Sequence, residues 1–262
     1  MGGMLLCVDI GNTNTHYGLV AGGRAAHHQS DVATRALDDP VLGLPRRIRE
    51  LRGTGNAIDA LAFCSVVPAA TPRVCRVAEE AGLPWWQLTH ESRLGVRITY
   101  PEPAGIGQDR LANAVGAHAL AGSPAVVIDL GTAVTFDIVT RSGGYEGGII
   151  APGPALVTRY LHERTAQLPL VEDLATPVES VIGRSTSEAI RIGAMVGYPG
   201  LIQALLDAVL AELARRGEPA STVITSGGAA SVVAGRLRQP TRDIPDLTLL
   251  GLASAWELEN GR

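Results

Sequence analysis

Residues 100–135 read YPEPAGIGQDRLANAVGAHALAGSPAVVIDLGTAVT, and this stretch carries most of the information about the fold. It contains an Asp-Arg pair at the start of a predicted helix over 108–121, then an apolar strand that ends in Asp129. The strand and its turn fit the pattern D-[IL]-G-x-x-x-T, which also occurs at Asp9 near the N-terminus. The two copies lie almost half a chain apart. The sequence therefore predicts two related halves, each opening with a strand that ends in Asp.

Aligning the two motifs places Gly11 over Gly131 and Thr15 over Thr135. A strand ending in Asp, followed by a Gly turn and a returning strand, gathers backbone N–H groups and hydroxyls at one point, which favours anion binding. One such hairpin is weak evidence, because a capped surface turn has the same pattern. Two copies predict equivalent hairpins that face one cleft and bind the phosphates of a nucleotide from both sides.

The predicted elements follow the same order in both halves. The first half reads βββ-α-β-α-β, with a helix over 38–51, and the second reads βββ-α-α-β-α. Helices are predicted over 187–216 and 229–237 by their apolar periodicity. A break is expected at about 197–200, because Pro199 interrupts the first of these helices.

Composition favours a small-molecule partner. The 262 residues carry a net charge of -4 with 18% charged residues, so no electrostatic footprint suits nucleic acid or an anionic membrane surface. All 22 basic residues are Arg. The absence of Lys excludes the Walker P-loop Lys, the protein-kinase strand Lys and Schiff-base chemistry. Any phosphate must be held by backbone N–H groups, Arg, hydroxyls or a metal ion.

The spacing of the cysteines and histidines and the hydropathy of the sequence exclude further classes of protein. The three Cys are widely spaced and two lie in apolar runs, so we expect reduced, buried thiols. The six His show no ligand-like spacing, which predicts no His/Cys metal site. No apolar run reaches the roughly 18 residues of a membrane span, and no signal-peptide pattern precedes the first strand. We therefore expect a cytoplasmic protein, with the true start at Met1 or Met4 left open.

A Gly-rich turn, Ser226-Gly227-Gly228, follows a predicted strand. It suits a flat ligand or its sugar lying against backbone, and it equally suits an ordinary turn between a strand and a helix. The nearest string to G-x-G-x-x-G, over 105–110, ends in Arg, so a Rossmann dinucleotide site is disfavoured.

Six strings in chain order resemble type III pantothenate kinases, a family of the actin, Hsp70 and sugar-kinase superfold. They are VDIGNTNTHYGLV over 8–20, Y-x-x-P-x-x-x-G-x-D-R over 100–110, IDLGTAVTFD over 128–137, GGIIAPG over 147–153, ST-x-EAI-x-x-G over 185–193 and TSGG over 225–228. The resemblance implies an α/β fold of duplicated ribonuclease H-like (actin-like ATPase) domains. Each would be a mixed sheet flanked by helices, with a cleft between the domains. We expect the division at 1–107 and 108–262, with helix 108–121 connecting them.

The resemblance also implies roles for individual residues. ATP would bind to the first hairpin and to one residue of the second: Asp9, Ile10, Gly11, Asn12, Thr13, Asn14, Thr15, His16 and Thr132. Asp9 would lie near Mg²⁺, and Asp129 would hold a monovalent cation, K⁺ or NH₄⁺. Asp109 would be the general base. Pantothenate would be bound by Tyr100, Gly107, Gln108, Asp109, Arg110 and Thr186.

The implied activity is ATP-dependent phosphorylation of pantothenate to 4'-phosphopantothenate, the first step of coenzyme A biosynthesis. A homodimer is implied as well, with the acceptor site at the subunit interface. Two alternatives are another small-molecule kinase of the same superfold and a nucleotide-binding regulatory paralogue without turnover. The presence of Asp9, Asp109 and Asp129 argues against the second alternative, because a protein that only binds nucleotide needs no base.

Overall fold

The computed structural model describes residues 4–22, 25–142, 144–174, 178–233 and 235–261. In chain order the strands and helices are β1 (Met4–Ile10), β2 (Asn14–Ala21), β3 (Ala25–Ala33), α1 (Leu44–Gly53), β4 (Ile58–Ser65), α2 (Thr71–Glu80), β5 (Trp85–Gln87), α3 (Gln108–Ala121), β6 (Ala125–Leu130), β7 (Ala133–Thr140), β8 (Gly144–Pro152), α4 (Pro154–Glu163), α5 (Thr186–Ile192), α6 (Tyr198–Arg215), β9 (Thr222–Ser226), β10 (Arg242–Asp243) and α7 (Leu247–Glu259).

Two five-stranded sheets share one strand order. The first runs β3-β2-β1-β4-β5 and the second, read in the same sense, β8-β7-β6-β9-β10. In each sheet the central strand pairs antiparallel with the strand that follows it and parallel with a strand that returns after helices. The predicted duplication of a mixed α/β unit is therefore confirmed.

The chain forms two compact units, which divide it differently from the predicted 1–107 and 108–262. The first unit contains Met1–Gly122, Gly143–Glu146 and Asp246–Arg262, and the second contains Ser123–Ser142 and Gly147–Pro245. Helix α3, predicted to connect the halves, is thus part of the first unit, together with the C-terminal helix α7.

Helices α3 and α7 approach so closely that two glycines are required. A Cβ on Gly251 of α7 would lie 1.9 Å from a carbonyl oxygen of α3, and one on Gly116 of α3 would lie 2.8 Å from a carbonyl oxygen of α7. Nearby, the hydroxyl of Thr248 donates a hydrogen bond to Oδ1 of the buried Asn113 at 2.8 Å. Contacts between segments far apart in sequence therefore fix the boundary of the first unit.

The first sheet is covered on both faces, which explains the apolar character of β1. Leu6 and Val8 face a core that α1 and α2 complete. Because side chains alternate along a strand, Cys7 lies on the opposite face, where α7 packs against β1. The same alternation places Asp9 on the Cys7 face, at the end of the strand.

Helix α6 supplies much of the core of the second unit. Contrary to the expectation from the sequence, the stretch Thr186–Arg215 is apolar and long enough to cross a membrane by length and composition alone. In its apolar 18-residue part, 44% is buried in the fold. The apolar face of α6 packs on the second sheet, so the core accounts for its composition. The core members from the sheet and from α6 are Val126, Ile128, Leu130, Val134, Phe136, Val223, Tyr198, Ile202, Leu206, Val209 and Leu213.

A π-helical segment, Gly193–Gly197, interrupts the helix predicted over 187–216. Pro199 has no N–H, so the carbonyl oxygen of Met195, four residues earlier, lacks its usual helical donor. Arg236 donates to that oxygen from Nη1 at 2.6 Å. The break predicted at 197–200 thus begins a few residues earlier, as a widened turn that accommodates the proline.

The helix predicted over 38–51 begins only at Leu44. Oδ1 of Asp39 accepts hydrogen bonds from the N–H groups of Val41 and Leu42, each at 2.8 Å. An Asp that captures nearby N–H groups in this way stabilises a turn in place of a helix.

The helix predicted over 229–237 is also reduced. In this segment the described residues contain a short 3₁₀ turn, Ala230–Val232. Gly235 has a left-handed φ of 68°, a conformation that ends helices. The chain therefore turns back soon after β9.

Candidate functional site

The loop of the first hairpin is exposed at the end of β1. It has four residues, because Ile10 pairs with Thr15 across the hairpin. The N–H of Gly11 donates to the carbonyl oxygen of Asn14 at 3.0 Å, and the two residues between them are exposed. This loop can present backbone N–H groups to a phosphate, as the sequence predicted.

Thr34, which the motif did not indicate, holds this loop from behind. Its Oγ1 donates to the carbonyl oxygen of Gly11 at 2.7 Å, and its N–H donates to that of Thr13 at 3.0 Å. The hydroxyl of Thr15 lies 3.1 Å from the hydroxyl of Thr34, and both residues are buried. The side chain of Thr15 thus supports the loop from inside the fold, so contact between Thr15 and ATP would have to be through its backbone.

His16 lies between two carboxylates. Its Nδ1 is 2.8 Å from Oδ1 of Asp31, and its Nε2 is 3.2 Å from Oδ1 of Asp246. The hydrogen bond with Asp246, opposed by burial and reinforced by Asp31, raises the pKa of His16 from 6.5 to about 9. Asp246 also accepts from Nε2 of Gln29 at 2.8 Å. The charged ring therefore ties β2 to β3 and to the residue before α7, which leaves its backbone for the predicted contact with ATP.

Two acids predicted to serve catalysis flank one buried thiol. Cys64 on β4 donates from Sγ to Oδ1 of Asp9 at 3.3 Å. Burial, together with the charges of Asp9 and Asp109, raises the pKa of the Cys64 thiol well above its usual range. The thiol therefore stays protonated and keeps donating. The structure brings Asp9 and Asp109 into one neighbourhood of the first unit.

Asp109 lies in the first turn of α3. Its Oδ1 accepts a hydrogen bond from the N–H of Arg110 at 2.8 Å. Gly107 makes room for this carboxylate, since a Cβ there would lie 2.5 Å from the same oxygen. Burial raises the pKa of Asp109 against the lowering effect of Arg110. A carboxylate with a raised pKa is a better proton acceptor than an ordinary surface Asp.

Arg110 and Gln108, the residues on either side of Asp109, contact different groups. The guanidinium carbon of Arg110 lies 6.0 Å from the ring centroid of Tyr145, within reach of a cation–π contact. Oε1 of Gln108 accepts hydrogen bonds from the N–H of Ser65 at 2.8 Å and from Nε2 of Gln87 at 3.1 Å. The side chain of Gln108 thus joins the ends of β4 and β5, and its backbone is the part that could meet a substrate.

Tyr100 and Thr186, the other predicted substrate contacts, are both accessible. Tyr100 is 37% exposed and belongs to the first unit. Thr186 begins α5 in the second unit, and the preceding Ser185 caps that helix by accepting from the N–H of Glu188 at 3.2 Å. Both side chains are thus free to meet solvent or a ligand.

The second hairpin has a three-residue loop over 131–133, one residue shorter than the first. Thr135 pairs with Asp129 in this hairpin. Its counterpart in the first hairpin is therefore His16, which pairs with the equivalent acid, and the predicted match with Thr15 is wrong. The extra loop residue shifts the register, which the sequence pattern alone did not reveal.

Two glycines pack against the second hairpin. Gly153 donates from its N–H to the carbonyl oxygen of Thr132 at 3.0 Å, and a Cβ on Gly153 would lie 2.4 Å from that oxygen. Gly227 has a φ of 86°, and a Cβ there would lie 2.5 Å from Oδ1 of Asp129. Backbone packing therefore supports this hairpin, while Thr132 itself is exposed.

The donor groups fit a magnesium nucleotide better than a metal bound by protein alone. Among the described residues no three His, Cys, Asp or Glu side chains lie close enough together to form a metal site. Mg²⁺ usually keeps several waters and is held by one or two carboxylates together with substrate phosphates. Asp9, beside an exposed loop, suits that role, and Asp129 stands beside a second exposed loop.

Solved structures with the same fold come from several kinds of protein. One is a Baf family transcriptional activator from Campylobacter jejuni, with a TM-score of 0.61, 16% identity, and coverage of 98% of this chain and 100% of that one. Another is a ROK family glucokinase from Streptomyces griseus, with a TM-score of 0.52, 17% identity, and coverage of 99% and 100%. Duplicated mixed sheets, each with an Asp-ended hairpin, define the actin-like, ribonuclease H-like class.

Sequence similarity identifies one family within this class. The family model for type III pantothenate kinase matches residues 5–208. A type III pantothenate kinase from Akkermansia muciniphila is 41% identical over 256 residues, which cover 95% of this chain and 97% of the relative. The chain belongs to the type III pantothenate kinase family.

Proposed function

We propose that this protein transfers the γ-phosphoryl group of ATP to the primary hydroxyl of pantothenate, with Asp109 as the general base. Membership of the type III pantothenate kinase family makes the chain a phosphotransferase that acts in coenzyme A biosynthesis. The role of Asp109 rests on one observation above all. It is a partly buried carboxylate with a raised pKa at the start of a helix, and Gly107 leaves the space that it occupies.

Phosphoryl transfer requires the protein mainly to position the two reactants and to stabilise the charge that develops between them. The O–H bond of pantothenate breaks as its oxygen bonds to phosphorus, and the bond from phosphorus to the leaving oxygen of ADP breaks. Because an alkoxide is strongly basic, Asp109 takes the proton late, as the new bond forms. General-base assistance of this kind is typically worth about a hundredfold to ten-thousandfold in rate.

Arg110 supplies a positive charge next to this base. On a helix, adjacent residues diverge by about 100 degrees, so the guanidinium need not pair with the carboxylate of Asp109. It lies instead beside the ring of Tyr145. We infer that Arg110 binds the carboxylate of pantothenate or the transferring phosphoryl group, because both match its planar set of donors.

The first hairpin would hold the nucleotide through the backbone of Gly11, Asn12 and Thr13, with Asp9 oriented by the thiol of Cys64. When bound, Mg²⁺ neutralises charge on the phosphates. Thr132 would add a hydroxyl from the second hairpin. Asp129 would hold the monovalent cation, K⁺ or NH₄⁺, for which its carboxylate oxygens are suitable ligands.

A homodimer is supported by exposed apolar side chains on the second unit. Tyr160 of α4 is 61% exposed, Val196 of the π segment is 49% exposed and Leu201 of α6 is 40% exposed. Helix α4 packs against the π segment, so the first two lie on adjoining elements. Association of two chains would cover such residues, and sedimentation of the intact protein should give about twice the 27.3 kDa chain mass. The water-soluble substrates agree with the predicted cytoplasmic location.

The test of the proposed base is Asp109→Asn, which keeps the shape of the side chain and removes its basicity. Turnover of ATP with pantothenate, Mg²⁺ and K⁺ should fall by about a hundredfold or more. Nucleotide binding, measured by calorimetry, should stay within about twofold of the parent. Glu102→Gln, at an exposed acid in the same segment, is the matched control and should behave like the parent.

Two outcomes would redirect the proposal. Substantial residual turnover in Asp109→Asn would remove Asp109 from the role of base while leaving the family intact. ADP formation with other alcohols and none with pantothenate would favour another kinase of the superfold. ATP binding without any acceptor-dependent turnover in the parent would favour the regulatory paralogue.

A further inference from the structure

A cavity of about 390 Å³ lies in the first unit, away from the hairpin loop. Its walls include Met4 and Leu5 at the start of β1, Ala60 at the start of β4, and Trp256 near the end of α7. Asp9 and the hairpin loop after it lie at the opposite end of β1, about five residues further on, or roughly 16 Å along a strand. The cavity is therefore distinct from the predicted phosphate site.

The size and walls of this cavity suit a small organic molecule. Its volume falls in the range of roughly 300 to 1,000 Å³ that is usual for ligand pockets. Leu5, Val20, Ala60 and Ala253 contribute apolar surface. The ring of Trp256 forms part of the wall and lies edge-on to Trp86, with centroids 5.9 Å apart and an interplanar angle of 67°. This contact holds the indole ring of Trp256 in place beside the cavity.

The charged groups in the wall have one sign. Asp59 and Glu257 both line the cavity, and its described walls contain no Arg or His. Within the described parts of the chain neither carboxylate makes an ion pair. Glu257 is half-buried and lies near the buried Cys7. The pKa of the Cys7 thiol is raised chiefly by its own burial and, to a smaller extent, by the charge of Glu257. Asp59 is exposed, and a bound cation would give both carboxylates a partner.

We propose that this cavity binds a small organic amine, with its apolar body against Trp256 and its ammonium group held by Asp59 and Glu257. An aromatic face next to carboxylates is the combination that recognises cations carrying hydrocarbon, because cation–π and ion-pair attraction then act on the same group. Anionic ligands such as nucleotides and pantothenate are disfavoured here by the same charges. The amine site is independent of the phosphoryl-transfer chemistry.

The test compares two probes of nearly equal shape. The intact protein, without ATP or pantothenate, is titrated by calorimetry with 2-phenylethylamine and with the neutral 2-phenylethanol. We expect saturable binding of one amine per chain, and binding of the alcohol that is weaker by about tenfold. Equal affinity for the two probes, or no saturable binding of the amine, would overturn the proposal even if no variant could be purified.

Three variants locate the bound amine. Asp59→Asn and Glu257→Gln should each weaken amine binding by about fivefold and leave the affinity for the alcohol unchanged. Trp256→Leu should weaken binding of both probes. Glu163→Gln, an exposed acid in the second unit, is the matched control and should bind the amine like the parent. Unchanged amine binding in an Asp59→Asn, Glu257→Gln double variant whose far-ultraviolet circular dichroism matches the parent would refute the assignment.

Discussion

The two hairpins of this protein share a sequence pattern but have different neighbours. At the first hairpin, Thr34 bonds to the loop, His16 bridges two carboxylates, and the Cys64 thiol donates to Asp9. At the second hairpin, Gly153 and Gly227 approach so closely that no side chain would fit in their place. A repeated motif thus specifies the position of an acid. The residues around that acid decide how its carboxylate is oriented and which groups contact it.

The largest expected effect follows from removing the acid of the first hairpin. Asp9→Asn keeps the hydrogen bond from Cys64 possible but removes the charge proposed to act near Mg²⁺. Turnover should fall by about a hundredfold to a thousandfold, because loss of one group that stabilises transition-state charge typically has this cost. Steady-state kinetics over a range of Mg²⁺ concentrations would measure it. Asp39→Asn, at an exposed turn of the same unit, is the control, and equal loss in both would contradict a specific role for Asp9.

The acid of the second hairpin should show a different dependence. Asp129→Ala is expected to lose activation by K⁺ and to reduce turnover by about tenfold, because a carboxylate ligand of the cation is removed. Rates in matched potassium and sodium buffers would measure this difference. If the parent enzyme were equally active in both buffers, the proposed cation role of Asp129 would be wrong. If Asp9→Asn also lost K⁺ activation, the two hairpins would not differ in function.

The polar support of the first hairpin predicts a pH dependence of stability. The pKa of His16 is raised to about 9, so its contribution is complete below pH 6.5 and is lost as the pH rises through 9. The pKa of Asp246 is lowered, chiefly by His16, so its contribution is lost in acid. We expect the bridge to stabilise the fold most between about pH 5 and 6.5, by about 1 to 2 kcal/mol after solvent screening, and progressively less as the pH rises towards 9.

Chemical denaturation at pH 6.5 and pH 9.5 checks this bridge. His16→Gln should lower the free energy of unfolding at the lower pH and differ little from the parent at the higher pH. His90→Gln, at a histidine in the same unit, is the control. A destabilisation by His16→Gln of equal size at both pH values would show that the charge on the ring contributes nothing.

The smallest effect is expected at Cys64. Cys64→Ala removes the donor to Asp9 and should lower turnover by about threefold to tenfold, with the apparent affinity for Mg²⁺ weakened. Cys64→Ser restores a donor and should recover most of the loss. The contrast between Ser and Ala separates orientation of Asp9 from core packing. Equal activity of the two variants would contradict the orienting role.

Much of the fold could be predicted from the sequence, because its signals are local. The apolar run of β1, the repeated Asp-Gly pattern and the alternation of strands and helices gave the duplicated sheets. The unit boundary could not be predicted, because it depends on contact between Gly251 and α3, segments far apart in the chain. The late start of α1 was missed because the Asp39 side chain competes with the helix for N–H groups.

The candidate site also contains features that the sequence could predict and features that it could not. The resemblance indicated Asp9, Asp109 and Asp129 as site residues, and their roles stay predictions. Their positions, at two strand ends and a helix start, were predicted from the residues themselves. The surroundings of His16 could not be predicted, because Asp246 lies 230 residues further along the chain. The register of the second hairpin was misjudged because one loop residue more or fewer leaves the pattern of letters almost unchanged while it moves the partner of the acid.

The place of α7 has a consequence for biosynthesis. The last 17 residues, Asp246–Arg262, complete the unit that the N-terminal strand begins. Domains usually fold as units in the order in which the ribosome makes them, but here the unit begun first lacks a helix until residues 247–259 have been made. The segment made in between can assemble earlier, while the N-terminal part must wait with one face of its central strand uncovered. A chain stalled before Asp246 should therefore expose that face to chaperones.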